Sequence, residues 1–431
     1  MTAAVRMTPR EEDPYTVAID NGVPPGVFLG IQAREPVTLS SARSVFRRWL
    51  GDDYDMDALN LMLCALAAER LDGDPLWMLL VSGSGNAKTE TVQAARGSGA
   101  IVISTIASEG ALLSGTSSKE RTKAATGGLL RPLGRDGVLV IKDFSSIISA
   151  HRDSRAMLLA AFREIYDGFW SRNVGSDGGR TLEWSGRIAV IGAVTTAWDR
   201  AHDVIAAMGD RFVLIRMDST KGRTAAGIRA MSNVGAEEQM RAEMVDAVGG
   251  VIAGITPSIE LTLTEHETLM LLDAANLVTL ARTGVDYDYR GDVIDAHAPE
   301  MPTRFAKQLT QVVRGGLAIG MDREEGVRLA IRCARDSIPP LRLSILLDVA
   351  QHAGTGTRDV RRRLNKPRAT VERQLQSLHI LGLLALEEEE NLKGNGTLWH
   401  YSVAADIHPE VLFERKPESV PEMSPHRDIG I

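Results

Sequence analysis

The chain has 431 residues, of which 44% are apolar and 24% charged, the balance of a globular protein with ample core and two or three domains. A net charge of −7 excludes polyanion binding by bulk field and confines any nucleic-acid contact to a local patch. Its apolar runs are too short to span a membrane, no basic-then-apolar leader precedes the first domain, and two cysteines, Cys64 and Cys333, are too few for a zinc cluster or a disulfide framework, so a cytoplasmic setting is expected.

Residues 1–38 hold several prolines and no sustained period, and are expected to form a loose segment. Ser40 and Ser41 are candidate caps of a helix ending near Leu50. Ala58, Leu61, Met62, Ala65 and Leu66 then repeat at helical spacing until Asp72-Gly73-Asp74-Pro75 breaks it. The stretch 76–89, Leu-Trp-Met-Leu-Leu-Val-Ser-Gly-Ser-Gly-Asn-Ala-Lys-Thr, has the chemistry of a phosphate cradle. An apolar run at 76–81 reads as a buried strand and breaks into a small-residue loop. Lys88 and Thr89 then open a helix expected over about 88–96. The N–H groups of Gly83, Ser84, Gly85, Asn86 and Ala87 would face an anion, Lys88 the outer phosphates, and Thr89 a magnesium ion. Ser82 and Ala87 stand where the pattern has glycine, and both are small enough for close approach to phosphate. The alternative is a Gly/Ser turn followed by an incidental Lys-Thr.

Alternating units follow. Ala100–Thr105, Val138–Ile141, Arg187–Val194 and Phe212–Met217 read as strands, with a polar stretch at 107–128 and a helix at roughly 153–166. Strands alternating with helices predict an α/β parallel sheet covered on both faces, with any ligand at the carboxyl ends of its strands. The strand 138–141 runs into Lys142-Asp143-Phe144, where Asp143 is the only carboxylate available for magnesium or water. Either Asp143 fills one role alone or the register is shifted. Residues 236–330 read as mostly helical, with Leu269, Leu272, Ala275, Leu277 and Leu280 as a buried stripe.

Residues 340–405 have the spacing of a winged helix: Leu341 to Ala350, a short helix from Thr357, and a third from Lys366-Pro367-Arg368 with Val371, Leu375, Leu378 and Ile380 inward. Wing strands are expected at Leu384 to Glu387 and Thr397 to Val403, joined through Lys393-Gly394-Asn395-Gly396. Candidate DNA contacts are Arg361, Arg362, Arg363, Lys366, Arg368, Thr370, Arg373 and Gln374. The acidic run Glu387 to Glu390 opposes them, and docking to a protein is the alternative. Residues 409–431 are Pro-, Glu- and Ser-rich and are expected to be a disordered tail.

Over roughly 75–320 the chain resembles the AAA+ P-loop ATPases, particularly the clade of the minichromosome maintenance helicases. The resemblance rests on Ala87-Lys88-Thr89 and on Ile141-Lys142-Asp143-Phe144-Ser145-Ser146-Ile147; from Gly73 to Thr196 the chain is also similar to ATPases of actinobacterial phages and mobile elements. It implies an AAA+ core at 39–235, a helical lid at 236–335 and a C-terminal winged helix, with ATP and magnesium as cofactors. By that alignment Asp143 sits at the catalytic glutamate and the magnesium aspartate is lost. Thr195, with Thr196 beside it, would orient water; Arg211, in Gly209-Asp210-Arg211-Phe212, would be a finger acting in trans; Arg304, in Pro302-Thr303-Arg304-Phe305, would reach the γ-phosphate. Trp170 to Trp184 would be the pre-sensor-1 hairpin, turning at Ser176-Asp177-Gly178-Gly179, with Arg172 and Arg180 on DNA. Each of these residues also has an ordinary structural explanation. The resemblance implies a homo-oligomer, a ring, acting on DNA as a helicase or helicase loader; a regulator that binds ATP without turnover is the alternative.

Overall fold

The computed structural model describes residues 34–115, 127–175, 179–201, 205, 211–255, 262–390 and 397–413. Its strands are β1 (Met78–Val81), β2 (Ile101–Ile103), β3 (Asp136–Ile141), β4 (Phe169–Val174), β5 (Arg180–Ser185), β6 (Arg187–Val194), β7 (Val213–Arg216), β8 (Val285–Tyr287), β9 (Val293–Ala296), β10 (Leu384–Glu390) and β11 (Thr397–Val403). Five of them form one parallel sheet in the order β2–β3–β6–β1–β7. Met78 pairs with Ile191 on one side and Val213 on the other, so β1 is central and buried throughout. That burial explains its unbroken apolar run, since a strand covered on both faces has no polar side to alternate.

The period of two then sorts the side chains into two cores. Met78, Leu80, Val140, Ile191 and Ile215 face a layer of helices drawn from both sides of the sheet region in sequence, Leu39–Leu50, Met56–Ala68, Glu237–Ala253 and Thr303–Ala318. Trp77, Leu79, Leu139, Ile141 and Val190 face the Arg152–Tyr166 helix and the β4–β5 hairpin. Gly192 in β6 faces this second layer, where a Cβ would meet Leu79 at 2.6 Å and Phe144 at 3.3 Å. The helices expected as a lid therefore share one apolar cluster with Met56–Ala68. The helix Arg323–Ser337 closes the free edge of β7: Leu214 N donates to Ser337 Oγ (3.1 Å) and Arg216 N to Asp336 Oδ2 (2.8 Å). Cys64 and Cys333 are buried free thiols in this packing.

Several local expectations are corrected. The first helix starts at Leu39 with Thr38 as its cap, whose Oγ1 accepts from Ser41 N at 3.1 Å; Ser40 and Ser41 lie inside it. The helix after the loop stops at Gln93 and tightens into a 3-10 turn at Ala94–Ser98. In Glu265–Ala281 the buried stripe is Leu271, Ala274, Ala275, Leu277, Val278 and Ala281, while Leu269 and Leu272 are exposed. Leucines crowd both sides of that helix, so spacing alone left its phase open. Residues 282–302, expected within a helical region, contain the antiparallel hairpin β8–β9.

A small helical and sheet module ends the described chain: Pro340–Gln351, Thr357–Leu364 and Arg368–Ile380, then β10 paired antiparallel with β11 from Leu384↔Val403 to Glu390↔Thr397. Thr355 bridges Tyr401 and extends the pair. Ile345, Leu346, Val360, Val371, Leu375, Leu378 and Tyr401 are its core; Ile380 is exposed, contrary to expectation. The strand β10 runs three residues past its expected end, so the whole acidic run is strand. Residues expected to begin a tail instead make the 3-10 turn Pro409–Leu412, with Pro409 and Leu412 buried. The segment 1–33, the turn 176–178, the wing tip 391–396 and residues 414–431 lie outside the described residues.

Candidate functional site

Because β1, β3, β6 and β7 are parallel, the segments that leave their carboxyl ends share one edge of the sheet: 82–89 after β1, 142–145 after β3, Thr195 after β6 and 217–222 after β7. The first is the expected cradle. Gly85 has φ +80° and Ala87 lies at φ 53°, ψ 9°, in the left-handed region. That conformation costs a residue with a Cβ roughly 1–2 kcal/mol, so the loop holds its backbone turned against local preference. Gly83 packs beneath the loop after β7, where a Cβ would meet Ser219 Oγ at 3.0 Å. Asn86 Nδ2 donates to Asp218 O at 3.4 Å, and Thr91 Oγ1 shares a hydrogen bond with Tyr54 OH at 2.9 Å.

Lys88 is buried, its ammonium turned back onto the loop as a donor to Ser82 O (3.1 Å) and Gly83 O (2.6 Å). Burial lowers its pKa, and the nearby Asp143 carboxylate works the other way. Ser84, Gly85 and Thr89 are exposed. Asp143 is exposed as well; its Oδ1 accepts from Ser145 N at 3.1 Å, and Ser146 Oγ donates to its carbonyl at 2.8 Å. Lys142 N and Asp143 N still bond to Ile103 O (3.0 Å) and Ser104 O (2.9 Å), which carries the β2–β3 ladder past the strand end. Thr195 is tied to the same place: its N–H donates to Ser145 Oγ (2.9 Å), which lies 3.3 Å from Thr195 Oγ1. A lysine, a carboxylate and a threonine hydroxyl thus gather at one edge around a glycine loop. The chemistry of these groups is of the kind that could hold a magnesium nucleotide: loop N–H groups are donors for phosphate, and Thr89 and Asp143 carry oxygens in exposed residues. No group of three or more His, Cys, Asp or Glu able to hold a metal by protein atoms alone occurs among the described residues.

The expected arginines lie elsewhere. Arg211 precedes β7, where Val213 N donates to Trp77 O (2.9 Å), so it sits at the amino edge of the sheet, opposite the loop. Its side chain is 10% exposed, pairs with Asp167 at 3.5 Å and stacks on Tyr166 with 6.0 Å to the ring centroid. Arg304 stacks on the same ring at 6.0 Å and donates to Glu300 at 2.7 Å, and Glu300 also pairs with Arg282 at 2.8 Å. Burial lowers the pKa of Arg211, Arg304 adds to that, and Asp167 opposes it. Neither arginine reaches the loop of its own chain.

Arg172, expected on DNA, is engaged within the chain. It donates to Glu109 (3.1 Å) and Leu113 O (3.0 Å), while Trp170, Leu182 and Trp184 hold the β4–β5 hairpin against the second core. Arg180 is half-buried on the same hairpin. In the C-terminal module Arg363 is held by Asp348 (2.8 and 2.7 Å) and Thr355 Oγ1 (2.7 Å), Arg373 by Arg290 O (2.9 Å), and Gln374 Oε1 accepts from Arg342 at 3.3 Å. Those three already have partners within the chain; Thr370 is half-buried, and Arg361, Arg362, Lys366 and Arg368 stay exposed. Arg358, not among the expected contacts, is exposed four residues before Arg362 on the same helix. Helical spacing from Arg361 and Arg362 was the signal that could have found it.

No family model and no curated protein matches the sequence. Among solved structures the chain is similar to "The A form apo structure of NrS-1 C terminal region-CTR", at 11% identity and TM-score 0.31, covering 87% of this chain and 78% of that one. A second, "The A form apo structure of NrS-1 C terminal region-CTR(305-718)", has 10% identity and TM-score 0.26 over the same shares, 87% and 78%. At these scores the likeness bears on neither fold detail nor activity. No helix among the described residues is long and apolar enough to cross a membrane.

Proposed function

We propose that the chain is an AAA+ ATPase that binds magnesium-ATP, forms a ring-like oligomer and acts on DNA, as a helicase or helicase loader of a phage or mobile element. One observation carries this: the strand order β2–β3–β6–β1–β7 with the loop 82–89 leaving central β1, Thr195 following its neighbour β6, and Asp143 following β3, one strand further out. In this scheme the amides of 83–89 bind phosphates and Lys88 exchanges two carbonyls for the outer phosphates. Thr89 and Asp143 hold the metal, and Asp143 or Thr195 orients water. Arg211 and Arg304, at the far edge, are available only to a neighbouring copy, and Arg211 must first leave Asp167. Titration with a fluorescent ATP analogue and steady-state ATPase with and without single-stranded DNA test this. Saturable binding that Lys88→Ala weakens sharply, and turnover raised by DNA, are expected; a wild-type chain that leaves the nucleotide unbound overturns it.

Lys142 favours a second reading. It places a cation beside Asp143, at a strand end where magnesium charge would otherwise be met by two acids. The chain would then be an ATP-binding switch whose C-terminal module recognises an operator. Nucleotide affinity without turnover, together with sequence-specific duplex binding, would separate it from the motor.

A further inference from the structure

The helix that would enter a DNA groove is not free to do so. Arg368–Ile380 is the third helix of the C-terminal module, and its stripe Arg373–Ser377 lies against the β8–β9 hairpin. Arg373 donates to Arg290 O at 2.9 Å, and Gly291 approaches so closely that a Cβ there would meet the guanidinium at 2.5 Å. Tyr287 OH lies 3.4 Å from Ser377 Oγ. Asp288 locks the turn, its Oδ1 accepting from Arg290 N and Asp292 N at 2.8 Å each. Buried Arg342 fixes the module to the same region through Ala281 O (2.9 Å) and Thr283 O (2.6 Å) while holding Gln374. The hairpin carries Asp286, Asp288, Asp292 and Asp295 against a single cation, Arg290. A groove wall brought to this face would meet the hairpin's bulk and a row of carboxylates. The wing adds Glu387 to Glu390, exposed along β10.

The basic groups that remain lie on another surface. Arg358, Arg361 and Arg362 stand at i, i+3 and i+4 of Thr357–Leu364, one side of that helix. Asn365, at φ 50°, turns the chain, and Lys366 and Arg368 follow in that turn and at the start of the third helix. All five are exposed, and the first four make no ion pair among the described residues; Arg368 faces Glu372 at 3.6 Å. Long cations on a helix and the turn after it fit a row of phosphates, and a phosphate row carries no base sequence.

We propose that the ridge Arg358–Arg361–Arg362–Lys366–Arg368 grips the backbone of double-stranded DNA without reading sequence, while the aspartate-rich hairpin 285–296 keeps the third helix off the base edges. This rests on the DNA reading above and narrows it, and it favours a motor that must travel over a switch that must find an operator. The test is fluorescence anisotropy of the full chain with several duplexes of unrelated sequence across a salt series. Affinities equal within about three-fold are expected, with a log–log salt slope of roughly −3 to −4 from four or so displaced counterions. Arg361→Ala with Arg362→Ala should flatten that slope by about two and weaken binding on the order of ten-fold at low salt. Arg373→Ala should leave affinity within about two-fold, because Arg373 already serves the hairpin. Preference for one sequence that Arg373→Ala removes would overturn the ridge and leave the DNA reading intact. Failure of the wild-type chain to bind any duplex would remove both.

Discussion

The two edges of the central sheet are built on opposite terms. At the carboxyl edge the chain keeps polar groups open to solvent: Ser84, Thr89 and Asp143 are exposed, and Ala87 is held in a left-handed turn. At the amino edge it does the reverse. Arg211 and Arg304 flank one face-giving ring, Tyr166, with Asp167 and Glu300 as counter-charges. An edge that stores strain and leaves its oxygens open is one that a ligand can complete; an edge already neutralised contributes to folding until something competes for its charges. The same contrast recurs in the C-terminal module, where Arg363 is spent on Asp348 and Arg361 is open to solvent.

Lys88→Ala breaks the comparison most sharply. Two charge-assisted contacts to phosphate are worth about 3–4 kcal/mol, so nucleotide affinity should fall by roughly 100- to 1,000-fold. Stability should hardly move, because desolvating the ammonium offsets what its two carbonyl bonds return. A lowered urea midpoint with unchanged nucleotide affinity would make Lys88 a packing residue. Asp143→Asn comes next. If Asp143 serves the water or the metal, turnover should drop about 100-fold or more with binding preserved. A wild-type chain with no turnover to lose would instead favour the switch.

Arg211→Ala addresses the other edge. Removing a mostly buried guanidinium that stacks on Tyr166 should cost about 1–2 kcal/mol in a urea melt; Asp167 is half exposed and can rehydrate, which keeps the cost below that of a fully buried pair. In the proposed ring the same change also lowers turnover at saturating ATP. Full stability with lost turnover would mean that the arginine works outward, and the reverse would mean that it is structural alone.

What could be read without coordinates follows the same division. Strand β1 and the turn after it were legible because they are local: an apolar run and two glycines specify a buried strand and the bend that follows it. The parallel sheet flanked by helices followed from alternation of short strands with helical spacing. The partners of the arginines were not legible, since Arg172 meets Glu109 from 63 residues away and Arg373 meets Arg290 from 83. No pattern within either segment reports such a meeting. The β8–β9 hairpin was missed because strands of three and four residues are too short to show a period of two. That omission mattered, as it hid the cover on the third helix.

A pH-dependent effect is expected at the boundary between the sheet and its helical layer. The Glu69 carboxyl, 7% exposed, accepts from Gly137 N at 3.0 Å at the start of β3. Burial pushes it up to about 8 from an ordinary 4.5, with Arg187 pulling against the shift from 3.4 Å. Arg187 also donates to Ala68 O, Glu69 O and Gly73 O. A raised folded-state pKa means that the folded chain keeps a proton the unfolded chain releases. The contribution is therefore complete below about pH 4.5 and lost as pH rises toward 8. Melting temperature should fall across that window on this account, and Glu69→Gln, which keeps an oxygen for Gly137, should flatten the fall. An unchanged profile in Glu69→Gln would show the carboxylate already charged beside Arg187, and would make this boundary an ordinary ion pair rather than a protonated plug between two layers.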